Sequence, residues 1–107
     1  CLVHIPSIDE NIRIRGLRNA EIAEVSDTDN SADPYAGDKY SVYIATVEPD
    51  LKEIAKAMKD AGKIQEHVEV TEIFEIYEIR QLAEKIMELS GVTGKNKIEV
   101  VAENLKN

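Results

Sequence analysis

Residues 27–38 read DTDNSADPYAGD and hold the densest run of oxygen donors in the chain. A twelve-residue calcium loop needs oxygen ligands at positions 1, 3, 5 and 12, a backbone carbonyl at 7, and glycine at 6 for the sharp turn. Counting from Asp27 puts Asp29 third, Ser31 fifth, Asp33 seventh and Asp38 twelfth. Against this pattern, Ala32 takes the glycine position, Pro34 stiffens the next turn, and Asp38 is shorter than the usual bidentate glutamate. The same residues suit a long turn in which Asp and Asn close Asx turns and Gly37 supplies a positive φ. A turn is the expected reading. A calcium-type cation site at Asp27, Asp29, Ser31, Asp33 and Asp38 is the alternative, and no other cofactor is expected.

The remaining reactive residues form no constellation. His4 and His67 are the two histidines, whereas a zinc site needs three or four clustered ligands. SGVTGKNK at 90–97 lacks the phosphate-loop pattern, and it follows a helix where such a loop should open one. It reads as a helix stop and turn. Glu66, Glu69, Glu72, Glu75 and Glu78 recur every three residues and read as a solvated face. A carboxylate pair for hydrolysis would need a fixed gap in a cleft. No serine, threonine or cysteine has an evident base beside it.

Thirteen basic against twenty-one acidic residues leave a net charge of −8. That field repels phosphate backbones, so nucleic acid is not an expected partner. The densest positive run, RIRGLR at 13–18, has no stacking aromatics and reads as a polar strand face. No apolar run approaches the ~20 residues that span a bilayer. A single cysteine points to a reducing compartment and a cytoplasmic location. Its place at position 1 makes a lipid anchor through Cys1 the alternative.

The chain reads as one domain, 1–107, with a β extension and acidic loop over 1–39 and a core over 40–103. Ile12, Ile14 and Gly16 alternate with Arg13 and Arg15, the period of a half-buried strand. CLVHI and AEIAEV read as further short strands, though Ile22 and Val25 also suit a helical turn. A loop is expected over 26–39, then a strand in YSVYIATV at 40–47. Leu51, Ile54, Ala55 and Met58 predict a helix that Gly62 ends. IQEHVEV and EIFEIYE read as strands by their β-branched and aromatic content, the alternative being a single long helix from Thr71 to Leu89. A helix follows from Ile79 to Leu89, stopped at Ser90–Gly91, and IEVVAEN reads as a closing strand.

Strand, helix, glycine stop and strand thus recur twice. Two such units predict an α+β, ferredoxin-like βαββαβ two-layer sandwich, with an antiparallel sheet and both helices on one face. The other face would need a cover, from residues 1–39 or a second subunit. VEPDLKEIAKAMKDAGKI and IMELSGV resemble the ACT-type regulatory domains and the C-terminal domains of Lrp/AsnC regulators. The resemblance implies a ligand site at the entry to the first helix, at Glu48, Pro49 and Asp50, with Asp50 where the family places glycine. It also implies a non-catalytic regulatory or oligomerising role, a homo-oligomer or protein partner, and a small ligand between subunits. The alternatives are a cation-binding domain built on 27–38 and a subunit of a larger enzyme complex.

Overall fold

The computed structural model describes residues 1–28 and 33–91. Strands β1 (Leu2–Ile5) and β2 (Glu10–Ile14) form an antiparallel hairpin in which Val3 faces Ile12 and His4 faces Asn11. The alternation read from the sequence holds. Ile5, Ile12 and Ile14 are buried on one face, while Leu2, His4, Asn11 and Arg13 lie on the other and are exposed. Apart from Leu2 that outer face is polar, so it needs no cover. A third strand, β3 (Thr46–Glu48), pairs antiparallel to β2 across a register shift at Arg13 and Ile14. The sheet order is β1-β2-β3.

Among the described residues, four α-helices and a 3-10 helix accompany this sheet. The ferredoxin-like expectation is therefore wrong. Among the described residues one strand, β3, survives from the two expected βαβ units, and the hairpin taken for an extension supplies the other two strands of the sheet.

Three misread segments explain the error. AEIAEV belongs to helix α1 (Asn19–Asp27), whose single buried residue is Val25. YSVYIA belongs to helix α2 (Ala36–Ala45), so the loop expected over 26–39 ends earlier and β3 is all that remains of the long strand. Ser41, Val42, Ile44 and Ala45 are all buried in α2. A helix covered on several sides shows no clean 3.6-residue stripe, and its β-branched residues then mimic a strand. Two hydroxyls reinforce the helical turns: Ser41 Oγ donates to the Gly37 carbonyl at 2.9 Å, and Thr46 Oγ1 donates to that of Val42 at 2.7 Å.

The segment IQEHVEVTEIFEIYE holds no strand. It turns into a 3-10 helix over His67–Ile73, followed by helix α4 from Ile76 to Leu89. A 3-10 helix has three residues per turn, and Glu69 and Glu72 stand one turn apart on it. Val70, Thr71 and Phe74 point into the core.

Both expected amphipathic helices are present. Helix α3 (Leu51–Asp60) starts at Asp50, whose carboxylate accepts from the amides of Lys52 and Glu53, and the chain leaves through Gly62 at φ 72°. Helix α4 buries Ile79, Leu82, Ala83 and Ile86 on one stripe and ends at Gly91 with φ 78°. The expected turn at 92–97 and closing strand at 98–104 lie outside the described residues.

Two contacts fix the end of β2. Arg15 makes paired bonds to Glu21 at 2.8 Å each and also donates to the carbonyls of Gly16 and Ile44. The Glu21 carboxylate also accepts from the Arg18 amide at 2.8 Å, which caps α1. Its bond to Arg15, with the Arg18 amide second, lowers the Glu21 pKa to about 2. Beyond this, Ser90 Oγ accepts from the Leu17 amide at 2.7 Å, which brings the last turn of α4 onto Gly16. A Cβ on Gly16 would stand 2.8 Å from the Leu89 carbonyl oxygen.

Gly16→Ala is expected to destabilise the fold by about 1–3 kcal/mol in urea unfolding, because the obstructing atoms are backbone. Glu21 has a folded pKa below its ordinary 4.5. Its contribution is therefore complete above pH 4.5 and is lost as pH falls towards 2. Thermal unfolding from pH 7 to 2 should show that loss, and Glu21→Gln should flatten the curve across the window.

Candidate functional site

Several hollows open among the described residues; one of about 330 Å³ lies along α4 at Gln81, Glu84, Lys85 and Glu88, and three more are set by several elements. The first of these, about 530 Å³ between α4 and the start of α2, is lined with charges of both signs: Asp38, Arg80 and Glu84. A second, about 150 Å³, lies between β1 and α4 beside His4, Lys85 and Glu78. The third, about 290 Å³, lies where β2 begins and β3 ends.

The third hollow draws on four segments that are distant in sequence. Ile8 comes from the turn between β1 and β2; Glu10, Asn11 and Ile12 come from β2. Glu48 and Pro49 come from the exit of β3, and Ile73 and Phe74 from the end of the 3-10 helix. Ile12 and Phe74 are core residues, whereas Ile8 is 38% exposed and Ile73 39%. The result is an apolar groove with two half-open isoleucines and carboxylates at its margin.

Ile8 depends on a buried carboxylate for its position. Glu78, in the first turn of α4, is 3% exposed. It accepts from the Ser7 amide at 3.0 Å, the Ser7 hydroxyl at 2.5 Å and the Glu75 amide at 2.9 Å. One side chain therefore caps α4 and grips the hairpin turn. Burial pushes the carboxyl up, but donation from the Ser7 hydroxyl and from the Glu75 and Ser7 amides, with Tyr77, outweighs it. The Glu78 pKa lies below its ordinary value. Asp9 completes the turn at φ 49°, a left-handed position that Asp tolerates better than most residues.

Glu78 corrects the reading of the glutamates as one solvated face. Glu66, Glu72 and Glu75 are exposed and Glu69 is half-buried, but Glu78 is an internal clasp. The signal was present: a glutamate three residues into a helix reaches back to the first free amide, and Glu75-x-x-Glu78 has that spacing.

Of the three residues assigned to a ligand site, Glu48 and Pro49 line the groove, and Asp50 caps α3. In the acidic run, Asp29 and Ser31 lie outside the described residues. Asp27 ends α1 and Asp38 sits in the first turn of α2. Asp33 accepts from the Tyr35 amide at 2.9 Å, an Asx turn, and binds Lys39 Nζ at 2.8 Å. Lys39, then the Tyr35 amide, hold its carboxyl below the usual range. Gly37 lies inside α2, not at a positive φ. No group of three His, Cys, Asp or Glu side chains is placed to hold a metal ion among the described residues. His4 is engaged by Asn11 at 2.8 Å and Asp9 at 3.3 Å on the outer sheet face, and His67 is exposed. Among the described residues, no helix is long and apolar enough to cross a membrane.

Comparison with family models, with curated proteins and with solved structures finds no match to this chain.

Glu78→Ala leaves three donors without their acceptor. It should cost about 2–4 kcal/mol, more than Ser7→Ala, since hydrogen bonds to a charged group are the stronger kind. Chemical denaturation of both variants measures the difference. The folded pKa is lowered, so the clasp stabilises fully above the ordinary value of 4.5 and weakens as pH falls below it. Glu78→Gln should show less of that acid sensitivity.

Proposed function

We propose that this chain is a small non-catalytic regulatory domain that takes a ligand in the groove beside Glu48 and Pro49. The supporting observation is the convergence of the hairpin turn, β2, the exit of β3 and the 3-10 helix on one apolar hollow. A molecule seated there would complete the burial of Ile8 and Ile73 and bridge the hairpin turn, the exit of β3 and the 3-10 helix. Such bridging is how occupancy of a small site biases a larger structure. The lining offers no histidine, cysteine or hydroxyl, which favours binding over chemistry. Self-association over the two half-open isoleucines, Ile8 and Ile73, is part of the proposal. Asp50, as the cap of α3, would act by holding Pro49 and not by touching the ligand.

Two measurements test this on the full chain. In a fragment screen followed by amide shifts, the responding residues should cluster at Ile8, Ile12, Glu48 and Phe74. Light scattering at rising concentration should show a mass above that of one chain, and Ile8→Asp with Ile73→Asp should return it to the monomer. A screen whose shifts fall elsewhere, on a chain that stays monomeric throughout, would overturn the proposal.

A further inference from the structure

We infer that the groove selects a small organic cation, an ammonium group on an apolar body. The inference rests on the groove being a ligand site. Its charged lining residues are Glu10 and Glu48, and no lysine, arginine or histidine is among them. The other hollows described differ on this point, since each mixes signs. Arg13 is the cation closest to the groove's carboxylates by ion pairing. Its Nε stands 4.0 Å from a Glu48 oxygen, and both side chains are open to solvent. A contact that long and that wet neutralises little of the Glu48 field. The chain as a whole carries −8, which adds to the attraction for a cation and repels carboxylates and phosphates.

Shape narrows the ligand further. Ile12 and Phe74 form an apolar floor, and Ile8 and Ile73 stand half-open above it. Bare metal ions and strongly hydrated cations gain nothing from such a floor. An apolar body does, at roughly 25 cal/mol for each Å² removed from water. The groove, at about 290 Å³, is at the small end of ligand sites, which run from about 300 to 1,000 Å³. It suits an amine the size of a large side chain rather than a nucleotide or a length of peptide.

The test uses two probes of one shape and opposite charge, 2-phenylethylammonium and 3-phenylpropionate, titrated into the full chain with amide shifts as readout. The ammonium should give saturable shifts at Ile8, Glu10, Ile12 and Phe74, and the carboxylate should bind at least tenfold more weakly. Glu10→Gln and Glu48→Gln should each weaken the ammonium by about twofold to fivefold, the range for solvent-exposed charge pairs. Arg13→Gln removes only that long, solvent-exposed contact and should tighten the ammonium by less than twofold without weakening it, whereas damage to the fold would weaken it. Equal binding of both probes at the groove, or indifference to all three substitutions, overturns the charge inference while the ligand-site reading stands. Absence of groove shifts with either probe overturns both.

Discussion

Helix α4 packs on α2 and is tied at both ends to the β1–β2 segment by side-chain hydrogen bonds. Between those ends Ile79, Leu82 and Ile86 belong to the same core cluster as Ile5, Ile12 and Ile14. At the start of the helix Glu78 grips Ser7; at its finish Ser90 receives the Leu17 amide over the bare Cα of Gly16. Apolar burial supplies the drive but is indifferent to direction. The two end contacts set the direction, and the turn that carries Ile8 to the groove is tied to α4 through the first of them. Without the grip on Ser7 the turn that carries Ile8 would be anchored only by its own strands.

The buried carboxylate is the costly element in this arrangement. A carboxylate taken out of water is strongly disfavoured unless its lone pairs are used. Glu78 uses them on three donors from two separate parts of the chain, and no buried side-chain polar atom among the described residues lacks a partner. The Arg15–Glu21 pair follows the same logic at the opposite end of β2, with the guanidinium also serving two carbonyls. Polar groups in this small protein therefore act as joints between elements, and the apolar residues fill the space that the joints define.

Legibility in the sequence followed the number of covered faces. β2 has one, so Ile12 and Ile14 alternate cleanly with arginine. Helices α3 and α4 have one apolar stripe each, and their glycine stops were readable at Gly62 and Gly91. Helix α2 is covered on several sides, and with the stripe gone Val42, Tyr43 and Ile44 looked like a strand. The 3-10 segment was misread because Val68, Val70, Ile73 and Phe74 carry the β-branched and aromatic content of a strand. The groove was half legible. Glu48 and Pro49 were singled out through a resemblance, but Ile8, Ile73 and Phe74 join them only once the chain is folded, and no local spacing announces that.

The central claim is that Glu78 holds the hairpin turn and thereby builds one wall of the groove. The Ser7 amide reports on it directly. If the clasp exists, that proton exchanges slowly with solvent, far below the rate of an exposed turn, and its chemical shift follows the titration of one carboxyl group below pH 4.5. A Ser7 amide that exchanges as fast as an unstructured loop and ignores that titration would contradict the account.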